Sequence, residues 1–447
     1  MPVLERRLTF GAATVTNVLT MIGVGPFLTI PLLLESMHGP QAMLGWIIGA
    51  IVAAADGLVW AELGAAMPVS GGGYHYLREA YGKHGPGELM SFLFLWATVI
   101  SGPLMIASGG VGFAQYTAYL YPAMTPSQAK GLAIFVCLLA TALIYRRIDG
   151  VGRWGIAFGV AVLATAAWII AEGALHFHSA QLAFPPGAFH LSRDFWYGLG
   201  GATLYAMYDY AGYNMVCNIG GEVVRPEKTI PRSILVSIAA VAALYLAMNF
   251  SIIAVLPWRQ AAQSKFVVSD FIAFLRGPAA ASAMTALVLA TAFASVFAGM
   301  LGLSRIPYAA AAEGRFFRVF ARVHPTGHFP SFSVVFTGCA TAACCLLDLD
   351  SLIKATVVAS TLLGSLAVVI APSLLRRRGM ALPFRMWLYP VPAIVAFAGW
   401  SYIVATSGLT YIVCGLSLLG VGTAAYFCRA RRAREWPWGY NSSHVAE

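Results

Sequence analysis

Three stretches of this sequence hold residues whose types and spacing could do chemistry, and each lies inside an apolar run. The first is Met21-Ile22-Gly23-Val24-Gly25-Pro26. Two glycines one residue apart, followed by a proline, weaken a helix at that point. Pro26 has no N–H, and its ring opposes the carbonyl of Ile22. An interrupted helix leaves N–H groups free at the start of its second half, and such a terminus suits an anion such as a carboxylate. The same residues also read as a packing glycine pair with a simple proline kink. The second stretch is Tyr208-Asp209-Tyr210-Ala211-Gly212-Tyr213-Asn214. Asp209 lies near the middle of its run, where an ionisable side chain costs at least ~2.5 kcal/mol. Gly212 could mark a break. The alternative is an aspartate hydrogen-bonded to a neighbouring helix. The third is Asp56, which reads either as a proton-titrating or coupling group or as a polar tie between helices.

The elements that must position these residues follow from composition. The chain has 447 residues, 59% hydrophobic and 10% charged, against about 25% charged in a soluble domain. Its mean hydropathy is +0.74. An ordinary soluble enzyme and a disordered chain are both excluded; the expectation is an all-α polytopic membrane protein. Scanning for apolar runs of about 20 residues gives twelve: 10–34, 42–66, 88–120, 130–146, 154–174, 196–221, 233–256, 279–304, 332–347, 352–375, 387–406 and 409–428. Met1 to Arg7 is short and basic, and the run after it reads as a retained first span. With both termini cytoplasmic, 22 of the 28 Lys and Arg residues fall inside, as the positive-inside rule requires. The net charge of +10 is therefore topology, and no nucleic-acid partner is expected. Asp270 to Arg276 reads as a short outer helix. Ile306 to Arg322 reads as a cytoplasmic hairpin around Gly314, and Trp436, Trp438 and Tyr440 as residues at the membrane interface. The seven cysteines show no metal-type spacing, so neither metal nor other cofactor is expected.

The two candidate breaks fall in the first and sixth spans, five spans apart. That is the pattern of a five-helix repeat used twice with inverted topology, with substrate at the repeat interface. Motifs along the chain then carry a resemblance. They are Gly23-Val24-Gly25; Ala61-Glu62-Leu63-Gly64-Ala65-Ala66-Met67-Pro68-Val69-Ser70-Gly71-Gly72-Gly73-Tyr74 with Tyr76-Leu77-Arg78-Glu79-Ala80; Tyr210-Ala211-Gly212-Tyr213-Asn214 with Gly221-Glu222-Val223 and Ile230-Pro231-Arg232; and Ser304-Arg305, Tyr308-Ala309, Glu313-Gly314 and Val323-His324-Pro325. In this order they resemble the amino acid/polyamine/organocation transporter superfamily, most closely its L-type amino acid transporter-like members.

The resemblance implies a LeuT-type 5+5 inverted repeat plus two C-terminal helices. Residues 1–174 would form the first repeat, 196–375 the second, 387–428 the last two spans and 429–447 a cytoplasmic tail. It implies an alternating-access carrier in the cell membrane for a small-molecule substrate, an amino acid or related amine. By carry-over, Ile22, Gly23, Val24 and Gly25 would hold the substrate carboxylate. Tyr208, Asp209, Ala211 and Gly212 would face the amino group, with Tyr208 as an aromatic gate. Many relatives carry a Lys in span five, whereas this chain reads Phe158-Gly159-Val160-Ala161-Val162-Leu163. Proton coupling thus has Asp56 and Asp209 as its candidates. Plant-type polyamine carriers also lack that Lys, and their sixth span ends in a run similar to Gly221-Glu222-Val223 with Pro226-Glu227-Lys228-Thr229, so polyamine transport is the runner-up.

Other residues have two readings each. Glu62 with Arg78 or Arg305 forms either a cytoplasmic gate pair or a solvated ion pair. Glu222 reads as a structural ion pair. Phe293 and Phe297, four apart, line the substrate pocket or simply pack. Thr291 and Ser295 are sodium ligands or cap helix carbonyls. His176, His178 and His190 read as ordinary loop histidines. No catalytic constellation and no filter repeat is present, so enzyme and channel readings are set aside. A non-transporting sensor on the same scaffold would share every feature above.

Overall fold

The structure is a computed structural model. It describes residues 6–69, 71–145, 151–325, 329–434 and 436–438, leaving out the side chains of 151–158, 179–180, 363 and 433. Ser70, Arg146, Arg147 and Tyr440, and the side chains of Arg153 and Phe158, lie outside the described residues.

The first expected span is two helices, α1 (Phe10–Met21) and α2 (Gly25–Met37), bent by 52° at the break between them. Then come α3 (Met43–Ala66), the short α4 (Gly73–Tyr81), α5 (Pro86–Leu120), α6 (Pro126–Tyr145) and α7 (Val151–Leu175). At 1.5 Å per residue α5 is about 50 Å long, which exceeds the ~30 Å hydrocarbon layer. The second half begins with α8 (Arg193–Tyr210) and one turn, α9 (Met215–Asn218). It continues through α10 (Pro226–Ile253), α11 (Trp258–Gln263), α12 (Val267–Arg276), α13 (Pro278–Leu303) and α14 (Arg305–Ala312). The chain closes with α15 (Ser331–Cys344), α16 (Leu349–Ser360), α17 (Leu366–Arg377), α18 (Val391–Thr406) and α19 (Leu409–Ala433). Among the described residues β pairing is confined to one isolated bridge, Leu8 to Val223.

Among the described residues six helices are long and apolar enough to cross a membrane, and the bent α1–α2 pair makes a seventh. Three of the other expected spans depart from ideal length for visible reasons. Span six stops being helical at Tyr210, and its helix α8 starts earlier than expected and carries Arg193, Asp194 and Asp209. Span nine is a 14-residue helix. Span ten is α16 and α17 joined by a π-helical turn, Thr361–Ser365. The loop elements lie near their expected places, with α12 before α13 and a turn at Gly314, φ +74°. Trp436 packs onto the cluster of Phe92, Phe316 and Tyr426, and its carbonyl accepts the Tyr426 hydroxyl at 3.0 Å. Trp438 is half exposed.

Packing sorts the helices into two groups. α3 lies against both α8 and α10, α1 against α10, and α2 against α8. Around α5 gather α6, α13, α15 and α16. The α3–α8 contact is close because both sides are small: a Cβ on Gly45 would stand 2.6 Å from that of Ala202, and one on Gly49 would stand 2.9 Å from that of Ala206. Small residues four apart on facing helices are how membrane helices approach closely.

Candidate functional site

The break between α1 and α2 is held open by side chains from three other helices. Ile22 is extended, φ −84° and ψ 103°, so the last carbonyls of α1 lose their helical partners. Tyr245 of α10 donates its hydroxyl to the Met21 carbonyl at 2.9 Å. Ser295 of α13 accepts the Val24 N–H at 3.1 Å. Past the break, Tyr116 of α5 donates to the Phe27 carbonyl at 2.9 Å. The helix starts again at Gly25-Pro26, with Pro at a position where no N–H is needed.

The second interruption meets the first. α8 ends at Tyr210, and Gly212 takes φ +116°, a conformation open to glycine. A Cβ there would lie 3.1 Å from the Thr20 backbone, at the end of α1. Asn17 Oδ1 accepts the Val216 N–H at 2.9 Å, tying α1 to the unwound stretch. Gly25 is wedged between two residues of α8. A Cβ on it would lie 3.4 Å from the Tyr208 ring and overlap the Asp209 carboxyl. Ile22, Gly23, Val24 and Gly25 thus stand beside Tyr208, Asp209 and Gly212. Ala211 is half-buried at the turn. Gly23 and Gly25 keep partial exposure, while Asp209 is 3% exposed.

The two buried aspartates have different surroundings. Asp56 uses both oxygens: Tyr213 donates to Oδ2 at 2.6 Å and Trp400 Nε1 donates to Oδ1 at 3.2 Å. It pins α3 to the unwound stretch and to α18, as the polar-tie reading expects. Asp209 accepts from Thr29 of α2 at 2.5 Å through Oδ2, and its Oδ1 is buried without a hydrogen-bond partner. The Tyr208 hydroxyl bonds to Ser108 of α5, joining the two helix groups beside the breaks.

Other expected residues lie elsewhere or have other partners. Phe297 packs with Leu104, Val296 and Met300, in a different cluster from Val24 and Tyr208. Phe293 is half-buried. Ser295 spends an oxygen lone pair on Val24, and Thr291 Oγ1 is buried without a partner. Glu62 pairs with neither Arg78 nor Arg305. It is fully buried and takes Arg376 through two bonds, 2.8 and 2.6 Å, plus the Met386 N–H at 2.7 Å. Arg78 pairs instead with Glu88 at 2.6 Å, and Arg305, the first residue of α14, donates to the Leu301 carbonyl at the end of α13. The difference is one of reach: Arg376 arrives from the end of α17, far along the chain. Glu222 is exposed and has no ion pair among the described residues. Beside this network on α4, Tyr74 donates to Glu313 at 3.0 Å. Burial, then the Glu313 charge, pushes the Tyr74 phenol above its ordinary value, so it remains a neutral donor. His176 contacts Glu172, and no His, Cys, Asp or Glu cluster fit for a metal occurs among the described residues.

Sequence reasoning missed Thr29, Ser108, Tyr116, Tyr245 and Trp400. Each is an ordinary polar or aromatic residue in an apolar helix, and only the fold shows that it serves a broken backbone or a buried carboxyl.

Comparison with known proteins now bears on this geometry. The amino acid permease family model matches residues 8–425. The serine/threonine exchanger SteT of Bacillus subtilis is 25% identical, over 90% of this chain and 91% of its own length. The methylthioribose transporter of the same organism is 24% identical, over 96% of this chain and 94% of its own. Large neutral amino acids transporter small subunit 2 of Mus musculus is 28% identical, over 72% of this chain and 61% of its own. With several long apolar helices and a match across almost its whole length, this multi-pass membrane protein belongs to the amino acid permease family.

Proposed function

We propose that this protein is a secondary carrier that moves amino acids across the cell membrane by alternating access. The observation that carries the reading is the meeting of two interrupted helices at Gly25, Tyr208 and Asp209. The start of α2 would take the substrate carboxylate, because the first N–H groups of a helix face its N-terminal end, here the break, and the dipole favours an anion. The carbonyl-rich turn after Tyr210 would take the ammonium. Tyr208, bonded to Ser108, is the gate between the two helix groups. The group built on α1, α2, α3, α8 and α10 would rock against the group around α5. Twelve spans, an inverted 5+5 repeat and cytoplasmic termini complete the reading, supported by the Lys and Arg distribution.

The relatives support amino acids as cargo, since two of the three are described as carriers of amino acids. The methylthioribose carrier shows that the family likeness alone does not fix the substrate. A second reading, uptake of polyamines or other organic cations, is favoured by the unpartnered Oδ1 of Asp209, a natural counter-ion for an amine.

The test is flux into proteoliposomes of purified protein. Neutral, acidic and basic amino acids are compared with putrescine and spermidine, with and without an inward proton gradient. Saturable amino acid uptake, competed by analogues and not by diamines, is expected. Diamine uptake alone would replace the leading reading with the second, and no flux of any substrate would favour a sensor.

A further inference from the structure

Asp209 presents an oxygen without a hydrogen-bond partner to a helix start. Thr29 occupies its Oδ2, and its Oδ1 is buried with no partner in a side chain only 3% exposed. That Oδ1 lies against Gly25, where a Cβ would overlap it. Gly25 is the first residue of α2, a 13-residue helix whose N-terminus carries positive partial charge. The protein's own carboxyl therefore occupies the edge of the place where the proposed function seats the substrate's carboxylate. Two carboxylates in contact do not both remain ionised; such a pair holds one proton between them. Asp56, with both oxygens hydrogen-bonded, is not poised in this way.

We infer that Asp209 brings the coupling proton: the substrate carboxylate binds at the start of α2 together with one proton held on Asp209, whose Oδ1–H donates to it. The inference rests on the amino acid reading above. The proton comes from solution, converts the carboxylate to the acid before or as the substrate enters, and leaves when the substrate does. Among the described residues no other group is placed to take this role. The titratable neighbours on α8 are Tyr208 and Tyr210, and α10 contributes Tyr245; all three are phenols, neutral in the physiological range. On α2 the carboxyl nearest in sequence is Glu35, ten residues past Gly25. On α3, Asp56 is engaged by Tyr213 and Trp400. On α16, Asp350 is held by Tyr205 at 2.5 Å and Lys354 at 2.7 Å. On α18, Trp400 serves Asp56 and Tyr402 bonds to the Trp196 carbonyl. No salt bridge reaches Asp209 among the described residues.

The experiment is isothermal calorimetry on the purified full chain with L-serine, L-threonine and L-leucine. It is run from about pH 5 to about pH 9, in paired buffers of different ionisation enthalpy, so that protons taken up on binding are counted. Uptake approaching one proton per amino acid is expected, with affinity falling by up to about tenfold per pH unit on the alkaline side. Asp209→Asn, which keeps the shape and cannot ionise, is expected to bind with no proton uptake and no such slope. Three results would overturn the inference: no proton uptake by the wild type across the range, an unchanged slope in the variant, or binding of ethanolamine and putrescine with none of the three amino acids. If the variant does not fold, the wild-type proton count decides alone. Proton-linked binding without flux would sink the carrier reading and leave Asp209 its role. Amino acid flux without proton uptake would do the reverse.

Discussion

Glu62 is fully buried and accepts three hydrogen bonds, two from Arg376 and one from the Met386 backbone. A buried carboxylate with its cation removed is an uncompensated charge, and losing one partner of such a pair costs about 3–5 kcal/mol. Arg376→Ala should therefore lower the thermal unfolding midpoint of the detergent-solubilised protein sharply. Replacing both partners with apolar residues, Glu62→Leu with Arg376→Met, should recover most of the loss. Equal midpoints for Arg376→Ala and wild type would contradict the account. The sequence marks Glu62 as a paired carboxylate, because a charge at the end of an apolar helix needs a partner. It does not mark the partner, which lies 314 positions away. Asp56 and Asp209 carry the same lesson. Both read alike as aspartates in apolar runs, and only the fold separates one with two donors from one with a bare oxygen.

At the scale of elements, the seam between α3 and α8 is set by Gly45 and Gly49 facing Ala202 and Ala206. A Cβ on Gly45 would meet the Ala202 backbone carbon at 2.7 Å, so the neighbour cannot yield by a rotamer change. Forcing a larger residue into a packed contact costs about 1–3 kcal/mol or more. Gly45→Leu should destabilise the protein by at least that much, read as a drop in unfolding midpoint. Gly131→Leu, where a Cβ meets nothing within 4 Å, should not. A tolerated Gly45→Leu would show that α3 and α8 are not seated as described. The breaks were legible as elements because glycine and proline change the backbone itself at Gly23, Gly25, Pro26 and Gly212. Span lengths were less so. A hydrophobic run looks the same through the π-helical turn at Thr361–Ser365 as through regular helix, since its hydrogen bonds change and its side chains do not.

For the whole molecule, the apolar runs and the side on which Lys and Arg collect carry the topology, and neither depends on side-chain contacts. Reporters fused to both termini should lie on the cytoplasmic side, and a label at Arg259 or Lys265 on the opposite side. Termini on opposite sides would require an odd number of spans. What no sequence periodicity conveys is that two breaks nearly 200 residues apart converge on Gly25, because that is a property of how α1, α2 and α8 pack. The convergence is the centre of the account. Its most direct test is uptake of labelled amino acids by proteoliposomes bearing wild-type protein or Gly25→Leu, both shown to be monodisperse before reconstitution. The expected result is saturable uptake by the wild type and a loss of at least about tenfold in the variant, equivalent to about 1.4 kcal/mol. Equal uptake by the two proteins would place the substrate somewhere other than between α2 and α8.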